Sequence, residues 1–474
     1  MIKNHIKSLL TENLKFPPTE GQLLLIEGLA KFITSNDIRE ILLIRGFAGT
    51  GKTTVISALY QTLVSMGTQP VLMAPTGRAA KVMAGYSGES AFTIHKIIYR
   101  QKSSSDGTGH FVIDKNFYKN TFFIVDEASM ISNENGENSV FGSGRLLDDM
   151  LEYIFSGVNC RLILTGDTAQ LPPVGISVSP ALDPPTLKEY GLTVREYVLT
   201  DVVRQALGSG ILSCATLIRR QIENPGTRGF FNLQTEAFKD VERISGADLT
   251  EYLTRCYDRY GLFDTTVVTR SNKRANLFNK GIRNAILYRE NELERGDILM
   301  VVKNNYYWND EIPGLDFIAN GDIAEVININ SFEELYGFRF ANVKLRFIDY
   351  DNVEISCKIF LDTLYAETAS MTAGQNRLLY DTVAEDYTEY KNKRNRWEQI
   401  RQNPYFNALQ VKFAYALTCH KAQGGQWKAV FIDHGYLIEE MLDLEYYRWL
   451  YTAFTRSVEK LFLVNFNSKF FELP

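Results

Sequence analysis

Short apolar runs recur along the chain, and each ends in polar residues. Ile41-Leu42-Leu43-Ile44 runs toward Gly46, Val71-Leu72-Met73-Ala74 toward Pro75-Thr76, and Phe122-Phe123-Ile124-Val125 toward Asp126-Glu127. Arg161-Leu162-Ile163-Leu164 precedes Thr165-Gly166-Asp167, and Thr266-Val267-Val268 precedes Thr269-Arg270. Phe413-Ala414-Tyr415-Ala416-Leu417 runs as one strand into Thr418-Cys419-His420. Near-continuous apolar runs suit parallel strands covered on both faces. Between the first two runs, Val55, Ile56, Ala58, Leu59 and Leu63 recur at helical spacing. The runs fall into one group before about Arg204 and another after about Thr265, which predicts two α/β domains. Open sheets of this kind carry function at the C-terminal ends of their strands, where the polar residues stand.

Other stretches break the pattern. Polar Gln101 to His110 separates Ile97-Ile98-Tyr99 from Phe111-Val112-Ile113, which predicts a protruding β-hairpin. Ser132 to Arg145, rich in Asn, Gly and Ser, reads as a mobile loop. Ile323 to Ile329, Asn342 to Ile348 and Val353 to Phe360 read as strands of a small β-module inserted in the second α/β domain. Charged Glu385 to Gln402 reads as a helix leading back to it. No solenoid or propeller repeat is present.

Composition narrows the class. A chain of 474 residues with 45% hydrophobic and 12% aromatic residues supports several packed cores and excludes disorder. Five scattered cysteines, Cys160, Cys214, Cys256, Cys357 and Cys419, form no C-x-x-C pair and read as buried thiols. No apolar segment is long enough to span a bilayer, and the first residues lack a stretch of signal-peptide length. A soluble, cytoplasmic protein without a membrane partner is expected. The net charge of −5 argues against bulk coating of nucleic acid but leaves room for a local groove.

Gly46-Phe47-Ala48-Gly49-Thr50-Gly51-Lys52-Thr53, followed by Thr54, is a complete G-x-x-x-x-G-K-T phosphate loop between a strand and a helix. Its glycines let backbone N–H groups approach phosphates, Lys52 reaches the outer phosphates, and Thr53 ligates Mg²⁺. Asp126 at the end of another strand suits the Mg²⁺ shell, and Glu127 the polarisation of an attacking water. Gln170, in Gly166-Asp167-Thr168-Ala169-Gln170-Leu171-Pro172-Pro173, is a neutral side chain able to sense a γ-phosphate or to shape a turn. Arg204 and Arg456 are candidate arginine fingers, and by chemistry alone either is equally a surface arginine.

Taken in order, these motifs resemble the superfamily-1 DNA helicases, and among them the RecD-like and Dda-like group. Ala74-Pro75-Thr76-Gly77-Arg78-Ala79-Ala80-Lys81 is similar to motif Ia, and Thr93-Ile94-His95-Lys96 to the motif after it. Asp126-Glu127-Ala128-Ser129-Met130 resembles motif II, and Gly166 to Gly175 motif III. Thr418-Cys419-His420-Lys421-Ala422-Gln423-Gly424 is similar to motif V, and Ala453-Phe454-Thr455-Arg456 to motif VI. The resemblance spans Gln22 to about Val464.

The resemblance implies two RecA-like P-loop motor domains with an inserted β-hairpin pin and an inserted SH3-like β-module. The expected divisions are 1–98 with 120–205 for the first motor domain and 99–119 for the pin. The second motor domain takes 206–319 with 408–474, and the module 320–407. ATP and Mg²⁺ are the implied cofactors. Gln22, Gly46, Ala48, Gly49, Thr50, Gly51, Lys52, Thr53 and Thr54 would hold the nucleotide, with Gln22 reading the base. Thr53 and Asp126 would hold the metal. Lys52, Glu127, Gln170, Arg204 and Arg456 would carry catalysis. Pro75, Thr76, Arg78, Thr93 and His95 on the first domain, and Thr269, Asn272, Thr418, His420 and Lys421 on the second, would contact single-stranded DNA. Phe111 would wedge against the fork, or else pack internally. The implied activity is ATP-driven 5′→3′ translocation on single strands with duplex unwinding, by a monomer acting at single-strand/duplex junctions. The competing readings are a non-motor P-loop switch that binds a protein, an RNA helicase, and a translocase that displaces proteins.

Overall fold

The computed structural model describes all residues except 15, 102–110, 135–140, 204–207, 225, 227–228, 309–316, 351 and 473–474. Six strands form a parallel sheet in the order 91–93, 71–74, 122–125, 161–166, 40–46, 193–199. Alternate residues of its inner strands enter two different cores. Leu42, Ile44, Leu72, Ile124 and Ile163 pack under the helices Ile2–Glu12, Glu20–Ile33 and Lys52–Ser65. Ile41, Leu43, Met73, Phe123 and Leu162 pack on the opposite face with Leu146–Ser156. Coverage of both faces is the reason the middles of these strands are continuously apolar.

A second parallel sheet runs in the order 416–418, 265–269, 427–433, 457–464, 241–244. Its core is continuous with that of a closed five-stranded barrel made of 298–301, 323–335, 338–347, 353–360 and 409–413. The barrel therefore takes its first and last strands from outside 320–407. The apolar run 413–417, read from sequence as one strand, is divided between the two bodies. Leu409–Phe413 closes the barrel and Ala416–Thr418 begins the edge of the sheet. Buried Asn279 holds the crossing, donating to the carbonyls of Phe413 and Ala416 and accepting from the N–H of Ala416. One side chain thereby satisfies backbone groups that neither sheet can pair.

The segment before the last barrel strand holds two helices, Ala373–Glu385 and Lys393–Gln402, where the sequence suggested one over 385–402. Strands Tyr99–Gln101 and Phe111–Ile113 form the expected hairpin base, and its tip lies outside the described residues. Of the stretch expected to be a mobile loop, the described ends are tied down. Asn133 bonds Asp148, Ser143 bonds Asp149, and Phe141 is buried. All five cysteines are buried free thiols, as expected. Among the described residues no helix is long and apolar enough to cross a membrane.

Candidate nucleotide cleft and nucleic-acid face

The phosphate loop joins strand 40–46 to helix Lys52–Ser65, and its turn needs left-handed backbone at Gly49 and Gly51. A Cβ on Gly51 would stand 2.4 Å from Gln22 Nε2, so the glycine also makes room for that side chain. Gln22 is buried and fully engaged. Its Oε1 accepts from Thr19 N–H in a capping box, and its Nε2 donates to the Thr50 carbonyl at 3.1 Å. Here it braces the loop. Lys52 turns its ammonium back onto the carbonyls of Gly46 and Phe47, at 2.6 and 3.0 Å.

The loop forms one wall of a cleft of about 300 Å³. Lys52, Thr53, Asp126, Glu127, Asp167 and Gln170 come from the first sheet, and Gly424, Gln426 and Arg456 face them from the second. Asp126 accepts from Tyr86 Oη at 2.6 Å and from Glu127 N–H at 2.9 Å. Glu127 has a left-handed backbone, and burial pushes its carboxyl up against the opposing pull of Arg456 and Lys52. Arg456 is buried and stands 4.0 Å from Glu127, held by carbonyls of Thr452 and Gly425 and by the Thr455 hydroxyl. Burial also raises the Asp167 carboxyl, while Lys52, Tyr451 and the Ala169 N–H hold it down. Gln170 is buried with its Oε1 unpartnered. Arg204 lies outside the described residues. The exposed Thr53 hydroxyl and the Asp126 carboxylate are oxygen donors on one cleft, a set that fits a hard divalent cation such as Mg²⁺.

The loop after strand 161–166 belongs to both units. Ala169 and Leu171 are buried in the core of the second sheet. Leu171 N–H donates to Thr452 Oγ1 at 2.8 Å, and its carbonyl accepts from Gln423 Nε2 at 2.6 Å. Tyr451 Oη donates to Asp167 and accepts from the phosphate-loop N–H of Ala48. Tyr86, Gln423, Tyr451 and Thr452 were not singled out from sequence as site residues. Three of them sit in helices whose spacing reads only as core, and only a tertiary contact reveals their polar ends.

The expected nucleic-acid residues divide into two sets. Pro75, Thr76, Thr93, Asn272, Thr418 and Lys421 are partly exposed and His420 is exposed, all near the C-terminal ends of their strands. Thr76 and Thr93 also cap the helices that follow them. Others face elsewhere. Thr269 is fully buried, its hydroxyl directed at the carbonyls of Ser271 and Leu417, so its side chain is not on the face. Arg78 stacks on Trp427 of the second sheet with 3.8 Å to the ring centroid, which commits it to the seam between the units. The imidazole of His95 packs among Tyr99, Phe141 and Phe317, and burial lowers its pKa to about 4. Phe111, for which a wedge at the fork and internal packing were both open, is 3% exposed. It packs against Phe141, Tyr306 and Phe317, because a ring of this size gains more from an aromatic cluster than from water.

Among the described residues, three ammonium groups at the seam between the barrel and the second sheet have only neutral acceptors. Lys303 bonds Asn376, Lys412 bonds the Ala366 carbonyl, and Lys421 bonds Asn320. Burial and mutual repulsion lower Lys421 to about 8, and burial lowers Lys412 to about 8. Positive charge with no carboxylate partner among the described residues favours an anion.

Two family models match the chain: an AAA domain over residues 27–223 and a UvrD-like helicase C-terminal domain over 413–464. The ATP-dependent RecD2 DNA helicase of Deinococcus radiodurans is 24% identical over 89% of this chain, and the match covers 46% of that protein. This chain therefore spans about half of that relative's length. The ATP-dependent DNA helicase dda of Enterobacteria phage T4 is 25% identical over 87% of this chain and 92% of its own length. A Pif1 helicase from Bacteroides, solved in complex with ADP-AlF3 and ssDNA, is 15% identical over 97% of this chain and 95% of its own, with a TM-score of 0.47.

Proposed function

We propose that this chain, which belongs to the RecD-like and Dda-like group of superfamily-1 helicases, is an ATP-dependent DNA helicase that translocates 5′→3′ on single strands and unwinds duplex. The observation that carries the reading is the two-sided cleft, with the phosphate loop on one sheet and Arg456 on the other. A site divided in this way is complete only in one arrangement of the two units, so nucleotide binding and hydrolysis bias that arrangement.

ATP would enter with its phosphates at the loop. Lys52 exchanges the carbonyls of Gly46 and Phe47 for phosphate oxygens. Glu127 orients the attacking water and takes its proton; burial raises its carboxyl, which strengthens it as a base. Gln170, with a free amide oxygen beside the γ-phosphate position, orients the same water. Arg456 neutralises charge that develops on the transferred phosphoryl group, and Arg204 is assigned the same task by family pattern. Mg²⁺ held by Thr53 and Asp126 would neutralise the phosphates in the ground state.

Nucleic acid would cross the C-terminal ends of both sheets, over Pro75, Thr76 and Thr93 on one and Asn272, Thr418, His420 and Lys421 on the other. Exposed Lys303 and partly exposed Lys421 beside the barrel support this track. The five-stranded barrel is read as the SH3-like module and the hairpin as the strand-separating pin, without Phe111, which is buried. The first motor domain is 1–98 with 120–205. The second is 206–319 with 408–474 apart from strands 298–301 and 409–413, which join 320–407 to complete the barrel module.

Forked duplexes with a 5′ or a 3′ single-stranded tail, incubated with ATP and Mg²⁺, test the reading. The 5′-tailed fork is expected to open and the 3′-tailed fork to persist. Hydrolysis that single-stranded DNA leaves unchanged would turn the reading toward a nucleotide switch, and stimulation by RNA alone toward an RNA motor.

A further inference from the structure

Among the described residues, one hydrogen bond joins the phosphate loop to the second sheet unit. Tyr451, on helix Leu444–Phe454, accepts from the Ala48 N–H at 2.8 Å and donates to Asp167 at 2.7 Å. Its side chain is 1% exposed. The phenol therefore uses both its donor and an acceptor lone pair in a water-poor site, where each bond is strong and a missing partner costly.

We propose that Tyr451 is a positioning residue that couples occupancy of the phosphate loop to the arrangement of the second unit. The inference rests on the ATPase reading above. Two changes that accompany nucleotide binding act on this hydroxyl. Lys52 leaves the carbonyls of Gly46 and Phe47, which releases the backbone just before Ala48. The same movement changes the charge interaction of the ammonium with Asp167, whose side-chain hydrogen-bond donor is Tyr451. The next residue, Thr452, holds the N–H of Leu171 and, through its carbonyl, the guanidinium of Arg456. A shift at the Tyr451 hydroxyl thus moves, on one turn of one helix, both the anchored loop 167–171 and the arginine facing Glu127. Tyr451 itself touches no reacting atom.

The test is a coupling factor. The dissociation constant of single-stranded DNA is measured with and without a non-hydrolysable ATP analogue and Mg²⁺, and that of the analogue with and without DNA. The two ratios must agree, because coupling is reciprocal. The native protein is expected to show a ratio of roughly 5–150, the usual range for allosteric pairs. Tyr451→Phe keeps the ring and removes the two bonds, and should lower the ratio by about threefold or more toward 1. Asp167→Asn, which removes the charge that Tyr451 faces, should move it the same way and carries the test if Tyr451→Phe does not fold. A residue that only maintains the fold would change the melting temperature or both affinities and leave the ratio alone. A native ratio in both variants would overturn the inference, as would a ratio of 1 in a native protein that binds both ligands. A native protein that binds no single-stranded DNA would overturn the functional reading, and the inference with it.

Discussion

Asp322 carries its carboxyl at the mouth of the barrel, 1% exposed, between the Tyr350 hydroxyl at 3.0 Å and the Ala319 N–H at 2.6 Å. Burial outweighs both donors and pushes its pKa up to about 7 from 3.8. The folded carboxyl keeps its proton toward neutrality, while the unfolded one releases it near 3.8. Between those values the folded state holds more protons, so stability from this group is greatest below the lower value and falls as pH rises to about 7. Asp322→Asn should melt close to the native protein at about pH 4 and above it at about pH 8, as thermal unfolding across that range would report. Lys52 and Glu127, proposed for catalysis, are the counterpart at this scale. Lys52→Ala should abolish turnover and leave single-strand binding in place. Glu127→Gln should retain nucleotide and lose roughly 10²–10⁴-fold in kcat, the usual worth of a general base. Steady-state hydrolysis and filter binding check both. Retained turnover in the lysine variant would remove the phosphate-loop assignment.

Helix Gly77–Ser87 shows what one element joins. Thr76 caps its start beside the proposed DNA track, and near its end Tyr86 donates to Asp126 in the nucleotide cleft. Tyr86→Phe should raise the Mg²⁺ concentration needed for half-maximal hydrolysis, since Asp126 loses the donor that orients it. Calorimetric titration of Mg²⁺ and ADP gives a second reading free of turnover. The hairpin base is another case. The ring of Phe111 is buried, so Phe111→Ala should destabilise the protein by about 3–5 kcal/mol, the usual cost of removing a buried aromatic ring. Its melting temperature should drop, and strand separation per ATP hydrolysed should change little at temperatures where the variant is folded. Loss of unwinding at full stability would instead restore Phe111 to the fork.

Across the whole molecule, two parallel sheets meet at a seam with polar and stacked contacts. Arg78 lies on Trp427, the loop 167–171 is fixed by Gln423 and Thr452, and a Cβ on Gly424 would stand 2.9 Å from the Ala79 Cβ. The barrel reaches the first sheet as well, through the ion pair of Lys81 with Asp349. If partly exposed Lys421 beside the barrel grips a nucleic-acid phosphate, Lys421→Gln should weaken single-strand binding whatever the base sequence. It should also reduce the slope of log K against log salt by about 0.7, the increment for one phosphate contact on a single strand. A titration series in salt measures it, and an unchanged slope would remove Lys421 from the track.

The sequence alone determined the elements whose cause is local. The phosphate loop needs its glycines and Lys52 in fixed order, and the strands at Val71–Ala74 and Phe122–Val125 fall where their apolar runs lie. The ordered motifs carried the family resemblance, because spacing and residue type survive in the chain without its fold. The tertiary structure decided what depends on partners distant in sequence. It divided the run 413–417 between two bodies by way of Asn279, turned Phe111 and Thr269 inward, and gave Arg78 to Trp427. It also brought the Tyr451 hydroxyl onto a loop some 400 residues earlier in the chain. A tyrosine in an apolar helix stripe reads as core, and so it is over most of its ring. Only the packing of one sheet against the other reveals where its single polar atom ends.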